Sequence, residues 1–591
     1  MLLRQLVEYA ERLEREQPEK VLPRRYQEVG IRWIIALDKK GRSKGKPMRT
    51  SNGLEGRKEG PKRFMAPDLV RSSGVRAKLL ADNGEYVFGL AGEGADPKRI
   101  AERHQAFKDA VRACAEETDL AEVIAVARFL ETLDVKSLAL PDEVDSRDVF
   151  TFSVGGVMPI DLPAVRSYWA KHAGDTPISK QGKETFEAEC LISGEYGPVM
   201  DREPVKIKGI PGGQSSGTNM ISANQRSFES YGLSASHVAP VKLEYAEKYA
   251  NALNDLLRND HTHLRVGPVV YVFWTKNALP LPIVESLSKP EKENPLLAAL
   301  FAGKAVELKA SDRPEQVKKS LVSPWAGREF ESIRDNAFYA LSLSANGGRA
   351  VVRDQLTSTV RDVRDKLRAY FTAQQMVDNA GQPGKPLGIY TLAAGLYRDA
   401  NKEMAPGVPV SLLSFALRGK PLPFAFLQQL VRRNCMERRV TRPRAVLAKM
   451  VLLSSGKEMS SMEKLKTTRP ETAYHLGRLL AVFESIQRKA QPGINTTLVD
   501  RFYGSASTTP ALVFGRLISG IQNNLAKLRK SNPGLCTILE KELQEITASI
   551  ERFPKVLKVE EQALFGLGYF HEQANQREKI KARSKRTQAS D

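Results

Sequence analysis

The chain has 591 residues, 90 of them Lys or Arg and 69 Asp or Glu, for a formal charge of +21. Its 41% hydrophobic and 27% charged content excludes a mostly disordered chain, and no apolar run approaches the roughly 18 residues of a bilayer span. At about 150 residues per domain the length predicts roughly three to five domains, and the basic excess calls for an anionic partner, nucleic acid before an anionic membrane surface.

In chain order, MLLRQLVEYAERLEREQ reads as an amphipathic helix carrying both signs of charge. It lacks the apolar h-region of a signal peptide, so a cytoplasmic protein is expected. Ile31–Leu37 has the composition of a buried strand. From Lys39 to Lys78, thirteen basic residues stand against three acidic ones, punctuated by glycines, which predicts a long, mobile, positively charged loop. Leu79–Phe88 reads as strand, Asn83-Gly84 turn, strand, and Arg99–Leu133 as one or two helices. Val269–Trp274 is a central-strand pattern. Tyr339–Ser344 and Ala350–Arg353 flank an Asn346-Gly347-Gly348 turn and predict a hairpin, followed by a helix over Arg361–Val377. Asn379–Gly388, rich in proline and glycine, reads as a hinge. Helical patterns then dominate, including Ala473–Lys489, Leu512–Ser531 and Leu535–Arg552. The expected fold is α+β: a mixed α/β region over 1–378, a linker over 379–410, a helical bundle over 411–576 and a basic, disordered tail over 577–591.

Catalytic and metal signatures are weak. The cysteines Cys114, Cys190, Cys435 and Cys536 form no C-x-x-C pair, and no glycine loop ends in Gly-Lys-Ser/Thr. His261 and His263 alternate on one strand face with no third His or Cys nearby, and Asp260 alone is weak support for a metal site. Gly213-Gln214-Ser215-Ser216-Gly217 fits G-x-S-x-G, yet Pro211-Gly212-Gly213 interrupts the strand-to-turn geometry of a nucleophile elbow and Thr218–Asn224 reads as extended. The acidic residues Asp335, Asp354, Asp362 and Asp365 are scattered among basic ones on what reads as a solvated helix face. No catalytic set, metal site or cofactor is expected.

The most unusual composition is Pro204–Asn219, where a basic strand with Lys206 and Lys208 runs into glycines and small hydroxyl residues. Such a loop lets the main chain approach a phosphate or base edge, and its N–H groups form anion-binding nests. A surface loop between two strands is the alternative. Arg432, Arg433, Arg438, Arg439, Arg442 and Arg444, and six basic residues between Arg577 and Arg586, suit sequence-independent phosphate contact or simply a solvated surface.

Several segments together resemble one family, the large subunit of type I-C CRISPR Cascade. They are Leu79–Tyr86 with Gly89, Cys190–Glu195, Ile207–Gly209, Gln214–Gly217, Ser227–Gly232, Phe273-Trp274, Leu341–Ser344 with Asn346 and Arg349, Ala473–Arg478, and Leu567–His571. The chain departs from the family pattern at Met200-Asp201-Arg202-Glu203-Pro204, where arginine-leucine-histidine-proline is usual, at Ala223, where phenylalanine is usual, and after Val352-Arg353, where a tryptophan is absent.

The resemblance implies a non-catalytic subunit that joins a CRISPR RNA, backbone subunits, a crRNA-processing subunit and small subunits in a surveillance complex. It would read the protospacer-adjacent motif in target double-stranded DNA, help open the duplex into an R-loop and dock a helicase-nuclease. RNA pairing then carries the long readout, leaving the protein a short reading element and backbone contacts. On this basis Lys206, Lys208, Gly212, Gly213, Gln214, Ser215, Ser216 and Asn219 are assigned to the target duplex, with Gln214 as wedge or base-edge reader. Lys44, Lys46, Arg49, Arg57, Lys58, Lys62 and Arg63 are assigned to DNA backbone contacts, and Asn83 to a base contact. The C-terminal bundle is similar to the family's small subunit, with Met450, Met459 and Met462 as candidate internal starts. The competing classes are a stand-alone nucleic-acid-processing enzyme such as a nuclease, and a membrane-surface protein, which would need an amphipathic helix with a wholly basic polar face.

Overall fold

The computed structural model describes residues 1–18, 23–53, 59–69, 75–92, 94–133, 140–172, 186–223, 225–279, 283–290, 335–456 and 462–588, with side chains to 582. They form an α+β fold in two compact units: Met1–Ile207 with Ser216–Asp255, and Lys208–Ser215 with Leu256–Asp591.

In the first unit, helix α1 (Leu2–Glu16) precedes strands β1 (Tyr26–Ile31), β2 (Trp33–Leu37), β3 (Met48–Arg49), β4 (Lys62–Pro67) and β5 (Ala81–Asn83). Helices α2 (Gly84–Val87), α3 (Pro97–Thr118) and α4 (Ala121–Glu131) lead to β6 (Val149–Val154), α5 (Pro163–His172), the small pair β7 (Glu187–Glu189) and β8 (Tyr196–Pro198), and α6 (Leu243–Arg258). One sheet has the order β3-β2-β6-β5, with β2 and β6 parallel. Alternation along β2 buries Trp33, Ile35 and Leu37, and β6 buries Phe150, Phe152 and Val154 on its core side. The Phe152 ring lies between Phe107 of α3 and Phe129 of α4, with centroids 6.4 and 6.1 Å away, so aromatic packing joins helices to sheet.

Two expectations are corrected here. Residues 39–78 are not one loop, because β4 pairs antiparallel with β1 from Tyr26↔Pro67 to Ile31↔Lys62. Its charged residues occupy the exposed end of the strand while Ala66 and Pro67 are buried, so a pairable edge won over basic composition. Residues 84–87 form a helical turn, not a strand. Asn83 accepts a hydrogen bond from the Tyr86 N–H at 3.4 Å, which makes it a helix N-cap, a role asparagine fills as readily as a turn.

The second unit carries an antiparallel sheet of order β12-β11-β10-β9, from β9 (His263–Val266), β10 (Val269–Thr275), β11 (Ala337–Asn346) and β12 (Arg349–Thr359). Every residue of the interior strand β10 is buried. The helices are α7 (Ile283–Ser288), α8 (Val360–Gln374), α9 (Ile389–Ala394), α10 (Ala400–Glu403), α11 (Gly407–Arg418), α12 (Phe424–Glu437) and α13 (Arg442–Ser454). They continue with α14 (Thr472–Ala490), α15 (Leu498–Thr508), α16 (Pro510–Ser531), α17 (Pro533–Ala548) and α18 (Val559–Gln588). A single apolar cluster runs from Leu264 of β9 to Phe570 of α18. The units therefore divide elsewhere than at residue 378: this sheet shares its core with the C-terminal helices. Residues 379–388 form a packed turn, since a Cβ on Gly381 would stand 2.5 Å from the Glu578 Cβ and the Asp378 N–H donates to the Gln382 carbonyl at 2.7 Å. Residues 577–588 extend α18 and do not form a tail.

The helices α14 and α18 are buried all round over 473–484 and 563–572, as the centre of a helical layer requires. They meet at glycines. A Cβ on Gly477 would lie 1.9 Å from the Phe565 carbonyl oxygen, and one on Gly568 2.0 Å from that of Tyr474. The polar groups carried into this contact pair with one another. Arg478 Nε donates to Glu572 at 3.0 Å, the Tyr474 hydroxyl meets His571 Nδ1 at 2.9 Å, and the Tyr569 hydroxyl donates to Glu484 at 2.5 Å. Burial pushes the His571 pKa down to about 3, so its ring is neutral.

Gly477→Ala and Gly568→Ala are each expected to destabilise the protein by about 3 kcal/mol or more, as overpacking against main chain does. Gly566, two residues before Gly568, has no neighbour closer than 3.5 Å around its Cβ position, and Gly566→Ala is expected to be neutral or to stabilise by up to about 1 kcal/mol. Thermal and denaturant unfolding of the three variants checks this contrast.

Candidate nucleic-acid interface

The segment 203–221 is built in two parts. Its flanks belong to the first unit and its middle, Lys208–Ser215, to the second. In the first unit, Ile207 and Thr218 exchange backbone hydrogen bonds of 2.9 and 2.8 Å. Gly217 sits at φ +100°, where a Cβ would press to 2.8 Å from Lys206 Cβ and 2.9 Å from the Ile207 carbonyl oxygen, so the position requires glycine. The Lys206 carbonyl accepts from Asn254 Nδ2 at 3.0 Å, and partial burial lowers the pKa of its ammonium. Ser216 is exposed. Asn219 holds a buried Oδ1 with no hydrogen-bond partner among the described residues.

Glu203 anchors these flanks. Its carboxylate, 1% exposed, accepts the Met220 N–H at 2.7 Å and the Ile221 N–H at 3.0 Å, and the buried Tyr249 hydroxyl of α6 donates to it. Burial pushes its pKa up to about 7, against the opposing pull of these donors and of Lys206.

In the second unit, the loop's middle packs on the β11–β12 turn. The Pro211 carbonyl accepts the Ala345 N–H at 3.1 Å, and the Gln214 N–H donates to the Gly347 carbonyl at 3.3 Å. Gly213 and Gly347 form a parallel bridge. Gly212 at φ +78° and Gly347 at φ +59° supply the left-handed backbone both turns need. A Cβ on Gly348 would come to 3.4 Å from Gln214 Oε1, so glycine there leaves the Gln214 side chain its room. Ile210 and Pro211 are buried beneath, while Lys208, Gly212, Gln214, Ser215 and the turn residue Asn346 are exposed and Gly213 is half-buried. The result is a main chain pinned from below, presenting a polar edge upward. No helix follows Ser215 or Ser216, so the G-x-S-x-G pattern builds no nucleophile elbow.

The basic candidates of the first unit divide by environment. Lys44 and Lys46 are exposed beside the Leu37↔Ser43 bridge. Lys62 lies over the Phe64 ring at 5.4 Å. Arg63 faces Glu28 at 3.8 Å. Arg49 is ion-paired with both Glu59 (3.3 Å) and Glu143 (2.8 Å), which compensate its charge. Arg57 and Lys58 lie outside the described residues. Asn83 uses its side-chain oxygen in the α2 cap.

Elsewhere, His261 faces Glu285 at 3.8 Å and His263 Nδ1 lies 2.9 Å from the Asn259 carbonyl. No group of three metal-ligating side chains occurs among the described residues. The four cysteines form no disulfide. Sequence reasoning missed Glu203, Tyr249 and the Asn346-Gly347-Gly348 turn as parts of the loop's support. The turn was readable as a hairpin, and Glu203 stood in a segment noted for departing from the family pattern. Neither signal said that these groups meet the loop.

Among families of known proteins, the one described as CRISPR-associated protein (Cas_Csd1) matches residues 6–577. No curated protein matches the chain. Among the described residues no helix is long and apolar enough to cross a membrane.

Folding raises the Glu203 pKa from its ordinary 4.5 to about 7. The folded chain then binds more protons than the unfolded chain between these values. The stabilisation from this group is complete below pH 4.5 and is lost as the pH rises through about 7. Amide-exchange protection of Met220 and Ile221 is expected to fall across that window in the wild type. In Glu203→Gln it is expected to be flat and lower overall, because an amide NH₂ facing the Met220 N–H leaves a buried donor unmet at about 1–3 kcal/mol.

Proposed function

Because the chain belongs to the CRISPR-associated Cas_Csd1 family, we propose that it is the non-catalytic large subunit of an RNA-guided Cascade complex of type I-C. In this reading it recognises the protospacer-adjacent motif in foreign duplex DNA, promotes duplex opening and R-loop formation, and docks the helicase-nuclease. Its partners are the CRISPR RNA, the backbone, crRNA-processing and small subunits, and the target DNA. The family match over nearly the whole chain carries the proposal.

The glycine-loop geometry supports a reading element. Base readout in a minor groove needs a narrow projection with donors and acceptors and little bulk. Gly212, Gly213 and Gln214 supply that on a main chain hydrogen-bonded to the Gly347 turn. Gln214 offers both a carbonyl and an NH₂ to a base edge, and Lys208 adds a phosphate contact beside it. Lys44, Lys46 and Lys62 contribute sequence-independent attraction to the backbone; Arg49, doubly ion-paired, contributes least.

In the reconstituted RNA-containing complex, Gln214→Ala is expected to cost about 1–3 kcal/mol of discrimination between duplexes that differ only beside the RNA-matched segment. Lys44→Ala and Lys62→Ala are expected to weaken all duplexes alike and to reduce the salt dependence of binding by about one ion each. Unchanged motif preference in Gln214→Ala and Lys208→Ala would sink the loop assignment. Cleavage of DNA by the purified chain alone in magnesium or manganese would overturn the non-catalytic role.

A further inference from the structure

The segment Ser227–Gly232 carries part of the family resemblance but no role in the site described above. In the first unit it forms the end of a small projection. Ala223 and Ala235 exchange backbone hydrogen bonds of 2.9 and 3.1 Å at its base. That base is tied to the protein by the Ser236 N–H to the Asp201 carbonyl (3.1 Å) and by Ser236 Oγ to the Ile221 carbonyl (3.2 Å). The Ile221 N–H is itself held by buried Glu203. At the tip, the Leu233 N–H donates to the Ser230 carbonyl at 2.9 Å, closing a two-residue turn of Tyr231 and Gly232.

That turn needs positive φ at both central residues, which Asn-Gly or Asp-Gly supplies with least strain. Here Tyr231 stands at φ +53° and Gly232 at φ +73°. Ala235 is also left-handed, at φ +53° and ψ −130°, so two non-glycine residues are strained within five positions. The Tyr231 side chain is 99% exposed and gains nothing from packing. An aromatic residue held in unfavourable backbone, on a pinned base and fully in water, marks a function for the ring.

We propose that Tyr231 is a stacking wedge for an unpaired nucleobase of the opened target duplex. The inference rests on the duplex-opening role proposed above. A protein hot spot needs a surrounding rim that excludes water; Phe228 is the other exposed apolar ring of the projection, at 39%, and the tip's remaining neighbours Ser227, Glu229, Ser230 and Gly232 are small or polar and exposed. Base stacking needs only the faces of one ring and tolerates any base. Exposed Arg226 provides a cation for the flanking phosphates, whereas Arg202 faces the Asp201 carboxylate at 3.9 Å.

The test uses the full chain in the reconstituted RNA-containing complex and a target duplex with 2-aminopurine beside the motif, whose fluorescence reports unstacking. Tyr231→Ala is expected to slow opening about tenfold, the scale of one lost stacking contact. Tyr231→Phe and Tyr231→Trp are expected to stay within about twofold of wild type, and a pre-mismatched bubble should restore Tyr231→Ala. Tyr231→Gly, which relieves the backbone, should melt no lower than wild type yet open as slowly as Tyr231→Ala, separating the ring's role from folding. Wild-type opening rates in Tyr231→Ala would overturn the inference alone, as would loss of complex assembly in that variant, which would make the tip a protein contact. A wild-type complex that opens no duplex would overturn the target-recognition role and this inference with it.

Discussion

Where Gly477 meets the main chain at Phe565 and Gly568 the main chain at Tyr474, two helices come closer than any side chain would permit, and the second unit is arranged around that approach. Backbone contact brings the 473–484 part of α14 against the 563–572 part of α18, and the helices around them bury both stretches on every side. Burial then forces each polar group they carry to find a partner: Arg478 with Glu572, Tyr474 with His571, Tyr569 with Glu484. An unpaired charge at these depths costs several kcal/mol, so the pairings and the helix register specify each other. The remaining helices and the β9–β12 sheet pack outward from this centre through one continuous apolar cluster.

A body packed in this way holds the short glycine loop in place. The loop's middle is held by the β11–β12 turn, whose strands bury their length in the same core. Hydrogen bonds made by Ala345, Gly347 and Gln214 fix where the exposed edge lies. Within the first unit a buried carboxylate, Glu203, does comparable work. It gathers two main-chain N–H groups and a tyrosine hydroxyl around a segment with little regular secondary structure.

Much of the secondary structure was legible in local pattern. Val269–Trp274, the Asn346-Gly347-Gly348 hairpin, the helices over 97–131 and the long C-terminal helices stand where apolar periodicity and turn residues put them. The misreadings share a cause. Basic composition concealed that Lys62–Pro67 pairs with β1, since pairing depends on a partner edge and not on charge. Asn83-Gly84 suits a turn and a helix cap equally, and the residues that follow pack as a helical turn. The proline- and glycine-rich 379–388 segment resembled a hinge, but its glycines serve close contact with α18 and α13, where Gly384 lies against Arg442.

By itself the sequence determined the charge, the α+β succession of elements, and the ordered set of short motifs that matches the family, because these are properties of neighbours along the chain. Only the tertiary structure decided what the motifs touch. Ala473–Arg478 and Leu567–His571 carry the family resemblance as the glycine loop does, yet they meet each other across about ninety residues and form the packing centre. Arg49 counted toward a basic surface until Glu143, far away in sequence, was found against it. Glu203 became an anchor only through Tyr249 of α6. Each of these outcomes turns on a contact between residues remote in sequence. Local periodicity carries no information about such contacts, and burial supplies the energy that makes them decisive.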